Sequence, residues 1–139
     1  MLLTFDKKPF FCVPEKILTI LNNELAKLTE PDLASSGVTF NFTDDDYSAE
    51  DGGFHPVEVR VSNCDHQWGF DYITSFCFEG SPYPELIKAI DVCFQSEKVQ
   101  SIYSYCSNVQ ESNEHIELFL NNFISYVEMD AFTVSVSFD

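Results

Sequence analysis

Apolar residues along this chain recur with two different periods, and the changes of period mark out the elements. Leu2 to Phe5 predicts a short first strand. From Pro14 onward Ile17, Leu18, Leu21, Leu25 and Leu28 follow helical spacing and form one apolar stripe. Pro14 suits the first helical position, where a missing N–H costs nothing, and Pro31 sets the far limit because the residue before proline avoids helical angles. After Ser35-Ser36-Gly37 the period falls to two. Val38, Phe40 and Phe42 alternate with Thr39, Asn41 and Thr43, as in a strand with one buried face. Val57, Val59 and Val61 alternate with Glu58 and Arg60 in a second strand. Trp68, Phe70, Tyr72, Thr74, Phe76 and Phe78 make a third, and their aromatic row reads as a core face. Turn-forming residues at Asp44–Gly53 and Asn63–His66 join the three as an antiparallel meander.

Glu79-Gly80-Ser81-Pro82 interrupts the alternation, and Tyr83 to Lys88 reads as one helical turn. Ile90, Val92 and Phe94, then Val99, Ser101, Tyr103 and Tyr105, predict a hairpin about Ser96-Glu97-Lys98; a helix over Ile87–Phe94 is the alternative. Ile116, Phe119, Leu120, Phe123, Ile124 and Val127 give the clearest helix, with Ser107 or Ser112 as its cap and Glu111, Glu114 and Glu117 near its positive end. Phe132, Val134, Val136 and Phe138 close the pattern as a last strand. The expectation is one α+β domain over residues 1–139. It is an antiparallel sheet of five to six strands with two main helices packed on one face.

Charge changes the picture more than composition does. Hydrophobic residues at 45% and aromatics at 15% exclude intrinsic disorder. Against 23 acids stand 7 bases, a net charge of -16, which excludes plain phosphate-contact binding to nucleic acid. Eight acids and no base lie between Lys27 and Arg60, and Val99–Asp139 carries no Lys or Arg. Such surfaces steer cationic partners. The first expectation is therefore a non-enzymatic interaction module, a nucleic-acid mimic or an immunity-type inhibitor, that meets a basic protein. Its carriers are Asp44, Asp45, Asp46, Glu50 and Asp51 in one loop with Glu111, Glu114 and Glu117 on the second helix. No run is long and apolar enough for a membrane span and the N-terminus lacks a secretory pattern, so the expected compartment is the cytoplasm. A monomer or weak homodimer is expected, with Ile90–Phe94 or the N-terminal strand as the edge for pairing.

Candidate chemistry is sparse. Five cysteines at irregular spacing include no C-x-x-C pair, and Cys77 and Cys93 sit in apolar runs as small buried hydrophobes. The loop from Asp44 fails the EF-hand pattern, with Ala49 where glycine belongs and His55 where the bidentate glutamate belongs. No H-E-x-x-H, G-x-S-x-G, GxxxxGK[ST] or GxGxxG occurs, so no metal or cofactor is expected. The alternative function is a small ligand-binding domain or enzyme centred on His55, with Tyr47 and Arg60. Gly52-Gly53 and Pro56 place His55 at the mouth of a strand, where a carboxylate of the adjoining loop would raise its pKa. That reading requires a concave apolar pocket beside His55. Arg60, the sole arginine, is expected to pair with an acid or, alternatively, to clamp a substrate carboxylate. His115 borders the apolar stripe of the second helix.

Gly52-Gly53-Phe54-His55-Pro56-Val57-Glu58, the Phe70–Gly80 strand, Pro84-Glu85-Leu86, and Phe123-Ile124-Ser125-Tyr126-Val127-Glu128-Met129 before Phe132-Thr133-Val134 resemble a bacterial family of unknown function. That family is associated with marine gammaproteobacteria and their mobile elements. The resemblance spans nearly the whole chain. It implies a small cytoplasmic α+β protein and supplies no catalytic residues.

Overall fold

In the computed structural model, which describes residues 3, 9–32, 34–64, 67–102 and 108–139, six strands form one antiparallel sheet with two helices. The elements are α1 (Glu15–Ala26), β1 (Gly37–Thr43), β2 (Val57–Cys64), β3 (Gln67–Glu79), β4 (Glu85–Cys93), β5 (Lys98–Ser101), α2 (Val109–Glu128) and β6 (Thr133–Phe138). Strands β1 to β5 pair in sequence as a meander. The spatial order β5-β4-β3-β2-β1-β6 then requires α2 to carry the chain from one edge of the sheet to the other. With 20 residues α2 is about 30 Å long, enough for that crossing.

One sheet face is apolar and meets the helices. Val38, Phe40, Phe42, Val57, Val59, Val61, Ile73 and Val92 pack there with Ile17, Leu21 and Leu25 of α1 and Ile116, Leu120 and Phe123 of α2, all essentially buried. Val134, Val136 and Phe138 extend this face onto β6, opposite Phe42, Phe40 and Val38. The opposite face is a polar network. Arg60 Nε donates to Asp71 Oδ2 at 3.1 Å, Nη1 to Thr39 Oγ1 and Asp139 Oδ1, and Nη2 to Asp139 Oδ2. The Ser62 hydroxyl and the Gln95 amide also donate to Asp71 Oδ1, and Thr74 donates to Asp91.

Several elements depart from the periodicity. The aromatic row of β3 is not one core face. Trp68 and Phe70 are buried, but a bulge lets Arg60 pair with Tyr72 and Val61 with Phe70, leaving Asp71 as the extra residue. One extra residue turns every later side chain over. Ile73, Ser75 and Cys77 therefore face inward, while Tyr72 donates to Glu58 on the polar side and Phe78 stacks on Tyr47 at 5.3 Å. A second bulge, at Ala89, reverses the facing of β4: Ser75 pairs with Ile90 but Phe76 with Lys88, so Ile90 and Val92 face inward on one side of it and Ile87 on the other. Burial and the nearby Glu58 carboxylate both raise the Tyr72 pKa, and Tyr72 stays protonated.

Residues 85–93 are strand. This overturns both the helical turn over Tyr83–Lys88 and the alternative helix over Ile87–Phe94. β4 also has partners on both sides, so it offers no free edge; β5 and β6 are the edges. Asn108, not a serine, caps α2 by accepting from the Glu111 N–H at 2.8 Å, and Ser112 is buried within the helix. Pro14 sits just outside α1 as its cap residue, and the helix stops at Ala26, well before Pro31. Of the first strand only Leu3 is described. It is buried, and its backbone is held by the Asn22 side chain. Asp65, His66, Tyr103, Tyr105 and Ser107 lie outside the described residues. Cys93 is only half-buried, and hydrogen bonds from Ser96 lower its pKa.

Candidate functional site

The residues nominated by the sequence separate into two groups. Asp44 is a loop organiser: its Oδ1 accepts from the Asp46 N–H and its Oδ2 from the Phe54 N–H, each at 3.0 Å. Gly53 makes this possible, since its φ of +131° and a built Cβ only 2.8 Å from Asp44 Oδ2 leave no comfortable place for a side chain. Asp45 accepts from the Thr133 hydroxyl at 2.9 Å and so ties the loop to β6. Asp46, Glu50 and Asp51 are exposed. Tyr47 packs between Phe78 and His55, and its hydroxyl accepts from the Phe78 N–H at 3.0 Å.

Glu114 and Glu117 do not join this loop. Successive residues of a helix turn by about 100°, which puts Glu114 and Glu117 on the flank of α2 that runs beside Cys12 and Pro14. His115, Leu118, Asn122 and Tyr126 occupy the opposite flank, toward Gly53, Phe54 and His55. The expected anionic carriers thus lie on two sides of α2. Arg60 is remote from both, its guanidinium engaged with Asp71, Thr39 and Asp139 on the polar face of the sheet. Asp139 in turn has its pKa lowered by Arg60.

Between α2 and the sheet lies a cavity of about 400 Å³. Its floor is Val57, Ser75 and Ile90, its rim is Gly53, Phe54 and His55, and its wall is the His115–Tyr126 flank of α2. The opening has a local cause. The inward position of β3 after Ile73 is Ser75, whose hydroxymethyl leaves unfilled the space that a branched apolar side chain would take. Phe54 crosses to Tyr126, ring centroids 4.7 Å apart, and packs against Phe132 at 6.3 Å, closing one end. The apolar pocket required beside His55 is present.

Two features of the cavity set its chemistry. None of its twelve lining residues is Asp, Glu, Lys or Arg. His115 Nε2 is buried and has no hydrogen-bond partner among the described residues. Partial burial lowers the His55 pKa and keeps the ring neutral, which reverses the expected upward shift; no carboxylate is close enough to outweigh desolvation. Ser75 and the two imidazoles make no hydrogen bonds with one another, so among the described residues the site shows no nucleophile–base pair. Nor do these residues contain a cluster of three or more His, Cys, Asp or Glu side chains placed to hold a metal ion. His55 was legible from the sequence. His115 was visible only as a polar residue bordering the stripe, and Ser75 and Asn122 carried no signal.

Comparison with known proteins places this arrangement among uncharacterised relatives. A family model described as protein of unknown function, DUF2787, matches residues 15–137. The chain is 31% identical to the hypothetical protein VC0508 from the VSP-II pathogenicity island of Vibrio cholerae, with a TM-score of 0.87 and 99% of each chain covered. It is 32% identical to the conserved hypothetical protein VC1805 from pathogenicity island VPI-2 of Vibrio cholerae O1, with a TM-score of 0.78, covering 94% of this chain and 98% of that one. VC1805 is described as sharing structural homology with the human P32 protein. No curated protein matches the chain. The resemblance to a gammaproteobacterial family associated with mobile elements is thereby confirmed. Among the described residues no helix is long and apolar enough to cross a membrane.

Proposed function

Since the chain belongs to the DUF2787 family, whose function is unknown, its activity must be read from its own residues, and we propose that it is a small-ligand-binding protein whose site is the cavity between α2 and the sheet. One observation carries this reading: a partly enclosed, mainly apolar space of about 400 Å³ whose lining brings together the His55 and His115 side chains, Ser75 and Asn122. Ligand sites are of this size and combine apolar walls with a few convergent polar groups. The site binds rather than turns over its ligand. An unbiased fragment screen read by backbone amide shifts tests this, with perturbations expected at Ile90, His115 and Asn122. Substitution Ser75→Leu, which fills the floor, should abolish them. Hits that scatter over the surface and survive Ser75→Leu would sink the proposal.

The acidic interaction module, a mimic or inhibitor that engages a basic protein, is the second reading. The net charge of -16 and the exposed carboxylates of Asp46, Glu50 and Asp51, which accept no hydrogen bond from described residues, favour it. A pull-down at low and high salt tests it: a basic partner captured only at low salt supports it, and no salt-dependent partner refutes it.

A further inference from the structure

We infer that the protein self-associates through the outer edge of β6, two copies meeting about a twofold axis at Val136 so that their sheets join as one. The partner is a second copy of this chain, and the inference stands apart from the cavity.

The edge is open and unguarded. β6 lies last in the strand order and pairs with β1 in unbroken register over Thr133–Phe138. The Asp139 N–H donates to the Gly37 carbonyl, so by the alternation of an antiparallel ladder Ser137, Ser135 and Thr133 also turn their backbone groups to β1. Val134, Val136 and Phe138 therefore turn theirs outward, where among the described residues they meet no partner. Leu3, the described residue of the N-terminal segment, gives its backbone to Asn22 of α1 instead. Sheet edges are ordinarily protected by charge, proline, a bulge or shortness. The other edge, β5, has four residues and starts with Lys98. β6 has six and none of these guards, in a chain whose net charge is -16.

The edge also fits itself. In an antiparallel pair centred on Val136, that residue meets its own counterpart, Val134 meets Phe138 of the second copy, and every outward N–H and C=O finds a partner. The same three side chains are the half-buried ones on the helix side, so the pairing lays apolar against apolar and continues the core face across the joint. On the other side exposed Ser135 meets Ser137 of the second copy. Thr133 meets Asp139, whose carboxylate is already held by two hydrogen bonds from Arg60. No two like charges stand directly opposite along the strands. A joint this short is small beside a standard interface of about 1,600 Å², so the dimer is weak and reversible.

Sedimentation velocity on the full chain tests this, from about 10 μM to about 1 mM at low and at high salt. A monomer–dimer equilibrium is expected, tightened by salt because both copies are anionic, whereas a complex with a basic partner would loosen. Amide exchange should slow with concentration at Val134, Val136 and Phe138 and stay unchanged at Ser135 and Ser137. Val136→Pro removes an outward N–H and spares the ladder to β1, so it should abolish the dimer. Ser135 and Ser137 are exposed, and charges there report the register even if the proline variant folds poorly. Ser135→Glu with Ser137→Glu should weaken association about fivefold, and Ser135→Lys with Ser137→Glu should strengthen it. A monomer at every concentration in high salt would overturn the proposal. A dimer that survives Val136→Pro, or that leaves the Val134, Val136 and Phe138 amides unprotected, would overturn the β6 edge. Indifference to both serine pairs would overturn the register.

Discussion

Replacing His115 by leucine should raise the stability of the protein. The Nε2 atom is buried and unpaired among the described residues, and such a group carries a desolvation penalty of about 1–3 kcal/mol. Leucine removes that penalty, is of similar volume, and is the better helix former by a few tenths of a kcal/mol. The flank is only half-buried, so the lower half of the range applies. The expected gain is about 1–1.5 kcal/mol, or roughly 3–5 °C in Tm for a chain of this size. Urea unfolding followed by circular dichroism and by the fluorescence of Trp68 measures it, with the m-value unchanged. A loss of about 1 kcal/mol or more would refute the reasoning, because it would mean that Nε2 is satisfied within the native protein.

Three other outcomes follow from the same contacts. Arg60→Met should destabilise the protein by about 1–2 kcal/mol through Asp71, a figure already reduced for the partial exposure of the pair. Since Arg60 holds the Asp139 pKa below its ordinary 3.8, that further contribution is present above this pH and fades as pH falls through the native value, so acid titration should narrow the gap between variant and wild type. Asp44→Ala removes the acceptor of two backbone N–H groups and should cost about 1–2 kcal/mol in thermal or urea unfolding; Asp46→Asn, Glu50→Gln and Asp51→Asn on the exposed loop should each stay within about 0.5 kcal/mol. His55 has its pKa lowered by burial, so the unfolded chain takes up a proton first. Stability should therefore fall as pH drops below about 6.5, and a His55→Gln variant should lose that part of the pH dependence when urea midpoints are compared at neutral and mildly acidic pH.

Both helices, the three-strand meander and the final strand were legible because each depends on spacing within a few residues. Val38, Phe40 and Phe42 alternate and are all fully buried, and the Ile116–Val127 stripe is the face of α2 that packs on the sheet. The charge imbalance was legible too, since it is a count. Where the reading of β3 failed, the cause was a single bulged residue. Asp71 interrupts an otherwise unbroken alternation, and nothing in the local sequence distinguishes a bulge from regular pairing until the partner strand is known. The hairpin of Ile90 and Val92 with Val99 and Ser101 was legible, but Glu85–Lys88 was misread as a helical turn for a related reason: the bulge at Ala89 reverses the inward and outward positions before it.

The site belongs to the part that only tertiary structure decided. Its residues come from the loop before β2, from β3 and β4, and from α2, segments that the chain separates widely and the crossover of α2 brings together. The sequence alone determined that His55 stands at a strand mouth beside an acidic loop. Packing decided that the ring is neutral, since burial outweighs a carboxylate that does not reach it, and that Arg60 is engaged on the opposite face of the sheet. The pitch of α2 decided the rest. It sends Glu114 and Glu117 to one flank and His115, Asn122 and Tyr126 to the other, so the negative charge expected to act as one face is divided and an uncharged cavity lies between helix and sheet. Periodicity reports which residues share a face of one element. Which face of another element they meet is set by register and crossover, and those are properties of the folded whole.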